Sequence, residues 1–254
     1  MATTTTSLVF VASFLVILAQ GAHHCNVPSR FWCDDEEIAT RCGVLQQCQE
    51  FEWTETSKKV EFALYYESLC HGCRDFINGM LYPHYANLSS IMNLTLVPYG
   101  NALERKVGDK WVFTCQHEKQ ECIGNVIETC AIAIVKDTTK YFPFIHCMEN
   151  SDENPEEAAK KCSTSIPVPI ADILKCSKSE HGNKLEHEMA VKTGALQPPH
   201  KHVPWITVNG VHTSAIESDA MKDIVKLVCD TYKGPKPPVC KRSGREVTTI
   251  ANTG

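Results

Sequence analysis

The sequence predicts an α/β fold that carries a cysteine-rich, mainly helical insertion. Three observations lead there. Lys59 to Tyr66, rich in β-branched and aromatic residues, reads as a buried strand that runs into Cys70-His71-Gly72-Cys73. Phe76, Ile77, Met80 and Leu81 then repeat at helical spacing, so the second cysteine begins an apolar helix face. Two further strand patterns, Ile91 to Pro98 and Trp205 to Val208, flank a stretch from about 117 to 195 that reads as helical and studded with cysteines.

The elements follow in order. Residues 1–21 read as a secretory signal: Leu8 to Leu18 is an apolar run of the right length, and Ala19 and Gly21 suit cleavage before Ala22. Thr3 to Thr6 stand where a basic residue is usual. Residues 22–57 hold Cys25, Cys33, Cys42 and Cys48 among polar side chains and read as a disulfide-stapled cap or a propeptide. The run from Phe31 to Cys48 resembles a saposin A-type segment, which implies a precursor of a lysosomal protein. Residues 58–233 have the length of one core. Within them Asn154-Pro155-Glu156-Glu157 starts a helix, and another covers Lys184 to Lys192 and ends at Gly194. Asn209-Gly210 is a hairpin turn, and Ser214-Ala215-Ile216-Glu217 is a capping box before a last helix bearing Met221, Ile224, Val225 and Val228. Residues 234–254, with three prolines and no apolar periodicity, read as a removable tail that stays off the core. Strand, dithiol helix, strand, helical insert, strand, hairpin, helix is a thioredoxin-like order.

The chemistry sits in the Cys-x-x-Cys. A cysteine at a helix N-terminus meets unpaired N–H groups and the positive end of the dipole, both of which stabilise a thiolate. Two plainer readings compete: half of a zinc site, or two structural cysteines. A closed zinc site needs four ligands, and no second Cys-x-x-Cys occurs in the chain. We therefore expect no metal, and read Cys70 and Cys73 as redox-active with His71 and Gly72 as supporting residues.

Composition narrows the class further. The net charge of −5 comes without a basic block, which argues against nucleic acid as a partner. After the signal no apolar run is long enough to span a bilayer. Fourteen cysteines suit an oxidising compartment, and the sequons at Asn87 and Asn93 suit a glycoprotein. No flavin or nicotinamide fingerprint is present, so no bound cofactor is expected; an external thiol donor must restore the dithiol.

A longer pattern adds a family. Cys115-Gln116-His117, Glu121-Cys122, Asn125 and Cys130 stand in the spacing of the gamma-interferon-inducible lysosomal thiol reductase (GILT) signature, with Glu118 where that signature has glycine. The chain resembles this family from about Lys59 to Cys229, including Val203-Pro204-Trp205. The resemblance implies a thioredoxin-like fold and reduction of protein disulfides in endosomes or lysosomes, with a role in antigen processing or host defence. It implies Cys70 as nucleophile, Cys73 as resolving thiol and Pro204 as the cis-proline facing them. Glu118 is a departure: if the glycine serves a positive φ, the loop here must differ. Cys115, Cys122 and Cys130 are read as structural. His117 is open to acid catalysis or zinc ligation, but we read it as packing or capping within its loop.

Acid poses a problem that the sequence must answer. A cysteine of ordinary pKa is only about one part in 3000 ionised at pH 5. The helix N-terminus and a charged His71 are the two devices the sequence offers for Cys70. With both ends trimmed, the cysteines outside the dithiol are odd in number, so one is free, links a second chain into a dimer, or pairs with Cys240. Two rival readings remain: an oxidase or isomerase of the secretory pathway, and a non-catalytic disulfide-rich binding protein.

Overall fold

In a computed structural model, residues 25–34, 36–50 and 59–243 are described; the segment read as a secretory signal and the end of the tail lie outside them. The central strand is β1 (Val60–Tyr66). It pairs in parallel with β2 (Met92–Pro98), Phe62 opposite Leu94 and Tyr66 opposite Pro98. On its other edge β5 (Trp205–Val208) runs antiparallel, Leu64 opposite Ile206. The order is thus β2-β1-β5. Alternation sets the two faces: Val60, Phe62, Leu64 and Tyr66 are buried in the main core, while Tyr65 faces a smaller cluster with Val97, Tyr99 and Met189. This is the thioredoxin-like arrangement, with a parallel βαβ unit and an antiparallel neighbour.

The predicted hairpin is there in reduced form. Asn209 and Gly210 both take positive φ, as the tight turn requires, but the return strand is a single bridge, Val208 to Val211. The chain then enters α10 (Ser214–Thr231), whose cap is Thr213 and not Ser214: the Thr213 hydroxyl accepts from Ile216 N at 3.1 Å. Glu217, freed from the expected capping box, pairs with His202 at 2.7 Å.

Between β1 and β2 a continuous helical run holds α3 (His71–Phe76), a π turn (Ile77–Leu81) and α4 (Tyr82–Leu88). Pro83 lacks the N–H that a regular turn would use there, which accounts for the wider turn before it. A polar hairpin, β3 (Leu103–Val107) and β4 (Lys110–Thr114), follows β2. Its sequence carried no strand signal because charged residues dominate β3 and most of its side chains face solvent.

The insertion is helical as predicted: α5 (Glu118–Val135), α6 (Thr138–Glu149), α7 (Pro155–Cys162), α8 (Ile170–Ser177) and α9 (Glu180–Gly194). Asn154 caps α7 as its sequence announced, its side chain accepting from Glu157 N. The others gather around α5, and Cys130–Cys176 and Cys147–Cys162 tie them together.

The described residues nearest both ends pack against the core. The N-terminal helices α1 (Glu36–Arg41) and α2 (Leu45–Glu50) are stapled by Cys25–Cys42 and Cys33–Cys48. With the turn between them they contribute Ala39, Val44 and Cys48 to the main core, and Ser29 accepts a hydrogen bond from the Thr213 hydroxyl. The tail corrects our expectation: α11 (Pro238–Ser243) lays Val239 and Cys240 against the core, and Cys240 bonds Cys229. One disulfide and one valine suffice to dock a segment too short for periodicity. Six disulfides then account for every cysteine except Cys70 and Cys73, and the odd cysteine is paired within the chain. Among the described residues no helix is long and apolar enough to cross a membrane.

Candidate active site

Cys70 is the N-cap of the dithiol helix, with extended backbone, and its Sγ accepts from Cys73 N at 3.3 Å. Leu69, immediately before it, holds φ at 67°, a left-handed turn that lifts the chain off the strand into the helix. Cys70 is 9% exposed and Cys73 fully buried. Their thiols are accordingly driven apart. The Cys73 thiol hydrogen-bonds Cys70 and leads in lowering the Cys70 pKa, with help from the Cys73 N–H and His117, while burial and Glu67 work against it. Burial pushes the Cys73 thiol far up, and the bond to Cys70 adds to that.

Opposite the dithiol lies Pro204, whose peptide bond with Val203 is cis. A methyl added at Gly72 would rest 3.6 Å from the Pro204 ring. The loop before β5 thus faces the first turn of α3 with little room between them. Asn87 sits exposed on α4; Asn93 is exposed on β2, its amide donating to Glu61 at 2.6 Å.

His71 lies at the surface of the dithiol helix. Its ring is 92% exposed and stands 3.4 Å from Asp75, one turn along the helix. The histidine whose charge reaches Cys70 is His117. Sequence reasoning placed His117 in a cysteine-rich loop of its own, yet the fold folds that loop back over the exit of β1.

Every fixed residue of the 115–130 pattern has a structural task there. Cys115 bonds Cys122 and Cys130 bonds Cys176. Gln116 accepts from the Asn101 side chain at 2.7 Å. Glu121 accepts from both the backbone N and ring Nδ1 of His117, at 2.6 and 2.7 Å. Asn125 accepts from Ser68 N at 2.7 Å, while the Ser68 hydroxyl donates to Glu121 O at 2.9 Å. Gly124 permits the approach, since a Cβ there would collide with the Ser68 side chain. Glu118 keeps a positive φ of 61°, so the loop retains the conformation a glycine would favour rather than adopting another.

Glu67 is the residue the sequence reading missed. It lies at the end of β1, its side chain 1% exposed, and accepts from Asn101 N at 2.8 Å. Burial raises its pKa, the Asn101 N–H opposes that, and Glu121 and His117 act in opposite senses. Gly100, at φ 61°, lies so close that a side chain there would strike the carboxylate. A second acidic group lies deeper: Tyr66 donates to Glu128 at 2.5 Å, and Glu149 stands 3.7 Å from Arg74, next to Cys73.

Comparison with known proteins adds three findings. The family model for gamma interferon inducible lysosomal thiol reductase (GILT) matches residues 59–166, and that for a Saposin A-type domain matches residues 22–54. A gamma-interferon-inducible lysosomal thiol reductase from Carassius auratus is 44% identical over 85% of this chain and 84% of its own length. One of the same name from Mus musculus is 38% identical over 72% of this chain and 73% of its own. Among solved structures, a Chlamydia trachomatis DsbA aligns at TM-score 0.45 and 12% identity, covering 64% of this chain and 85% of that one.

Proposed function

The chain belongs to the gamma-interferon-inducible lysosomal thiol reductase family and is a thiol–disulfide oxidoreductase; we propose that it reduces protein disulfides in an acidic endosomal or lysosomal compartment, with Cys70 as nucleophile and Cys73 as resolving thiol. One observation carries the assignment: the two cysteines left free are a thiol of lowered pKa at a helix N-cap, 9% exposed, and a fully buried one of raised pKa beside it.

The cycle balances on those two sulfurs. The Cys70 thiolate attacks one sulfur of a substrate disulfide, forming a mixed disulfide and releasing the other substrate sulfur as a thiolate that takes a proton from the medium. Cys73 then gives up its proton and attacks Cys70, which releases the second substrate thiol and leaves Cys70–Cys73 oxidised. Two electrons have passed from dithiol to substrate, and an external thiol donor returns them. Pro204 faces the dithiol where an extended substrate segment would lie. Unfolding proteins, whose disulfides become reachable in acid, are the proposed substrates, and antigen processing or host defence the setting.

The test is reduction of a denatured disulfide protein by the chain across pH 4 to 8. Activity that peaks in acid and vanishes in Cys70→Ser supports the reading. Activity only near neutrality favours an oxidase or isomerase of the early secretory pathway, and none at any pH favours a binding protein.

A further inference from the structure

We propose that Glu67, His117 and Glu121 form a binding site for one divalent cation of the zinc class, set over the exit of β1 and with neither thiol of the dithiol among its ligands. The donors name the cation: one imidazole nitrogen and two carboxylate oxygens suit a borderline ion such as Zn²⁺. A second Cys-x-x-Cys, absent from the chain, is needed only where thiolates close the site.

Two segments distant in the chain supply the donors. Glu67 follows β1, His117 is the N-cap of α5, and Glu121 lies in the first turn of that helix. One donor atom from each lies within 4.8 Å of the other two, and no other group of three such side chains among the described residues does so. His117 Nδ1 stands 2.7 Å from Glu121 Oε2 and 3.7 Å from Glu67 Oε1. A tetrahedral cation bound at about 2.0–2.1 Å holds its ligand atoms about 3.3 Å apart, so shifts of about half an ångström would seat it. The proton shared by His117 Nδ1 and Glu121 then passes to solvent, and two bonds to the cation replace that hydrogen bond.

Burial gives these donors a need for positive charge. The Glu67 and Glu121 side chains are 1% and 0% exposed, while the His117 ring, at 43%, leaves a way in from solvent. Glu121 Oε1, the oxygen that His117 does not use, is buried without a hydrogen-bond partner. A cation meets both conditions: it offsets the buried carboxylates and gives the idle oxygen a neighbour of opposite charge. The supports are in place around it. Asn101 N donates to Glu67 Oε2 at 2.8 Å, leaving Oε1 for the cation, and the Cys115–Cys122 disulfide fixes the loop that carries the ring. The other paired imidazoles lack a third donor. His187 is paired with Glu104, and His202 with Glu217; near Glu217 the second imidazole, His212, bonds Ile206 O through Nδ1 at 2.8 Å.

Zn²⁺ itself is the probe. It is titrated at pH 7 against a chromophoric chelator, with the full chain stripped of metal and its Cys70–Cys73 pair oxidised so that no free thiol competes. The wild type is expected to bind one equivalent and to melt at a higher temperature when it does. His117→Gln, which keeps a hydrogen-bond donor for Glu121, and Glu121→Gln should each lower the affinity at least about tenfold. His202→Gln should leave it unchanged. No Zn²⁺ bound by the wild type, a smaller loss in the folded ligand variants, or an equal loss in His202→Gln would overturn the proposal. Melting in chelator reports whether each variant folds; where one does not, Glu67→Gln, which keeps an acceptor for Asn101 N, takes its place. Disulfide reduction by Cys70→Ser tests the reductase assignment separately, so the two ideas can fail independently.

Discussion

Asn125, in the second turn of α5, accepts the backbone N–H of Ser68 at 2.7 Å, two residues before Cys70. With the bond from the Ser68 hydroxyl to Glu121 O, it ties the helical insertion to the segment that leads into Cys70. Ser68 is 2% exposed and Asn125 fully buried, so neither group can turn to water instead.

Replacing Asn125 by Ala should therefore leave the Ser68 N–H orphaned, at a cost of about 1–3 kcal/mol. Because Leu69 sits in a left-handed turn between Ser68 and Cys70, the freed segment also has a more relaxed backbone to fall into. The expected result is a lower melting temperature together with slower disulfide reduction. A melting change with wild-type rates would mean that the bond holds the fold but not the thiol.

Cys73→Ser should convert the enzyme into a trap. Cys70 can still attack, but no buried thiol remains to release the mixed disulfide. Incubation with a denatured disulfide protein should yield a covalent adduct on non-reducing gels that dithiothreitol dissolves. Cys70→Ser should give none, and equal adducts from both variants would remove the distinction between the two sulfurs.

How much of this was legible in the sequence depends on the range of each interaction. The three strands of the main sheet, the dithiol helix, the Asn154 cap and the Asn209-Gly210 turn are set by neighbours in the chain, and they appeared from local pattern alone. The role of the 115–130 segment did not. Its residues act on Ser68, Glu67 and Asn101, and nothing in a one-dimensional spacing says which strand end a loop will cover. For the same reason the spacing left His117 without a partner, although in the fold its Nδ1 stands 3.7 Å from Glu67. A buried acid directly after a strand, as Glu67 is, was the signal available and unread.

The insertion should depend on its longest staple. Cys130–Cys176 spans 46 residues, and chain-entropy reasoning gives such a closure about 4 kcal/mol. The Cys130→Ala, Cys176→Ala double variant should melt well below the wild type. α5 carries both Cys130 and the groups that hold Ser68, so disulfide reduction should slow as well. An unchanged melting point would place the stability of the insertion in its apolar packing.

The fold itself should be more stable in acid than near neutrality. Burial pushes the Glu149 carboxyl up to about 7, with Glu128 and Arg74 pulling the other way. It pushes Glu186 up to about 8 against its bond from the Thr129 hydroxyl, and Glu128 also rises well above the ordinary range. In the unfolded chain these groups release their protons near about 4.3. Between that pH and their folded values the native state holds protons that the unfolded state has lost. Stability therefore falls as pH rises, by about 1.4 kcal/mol per unit for each group. Below about pH 4.3 both states are protonated and the contribution is complete; above about pH 8 it is gone. Melting the oxidised form, in which Cys70 does not titrate, should show a melting temperature that falls from pH 5 to pH 8. Glu186→Gln, which carries no proton to lose, should flatten part of that slope. A melting temperature that stays level or rises over this range would mean that water or another cation meets these carboxylates in the folded chain.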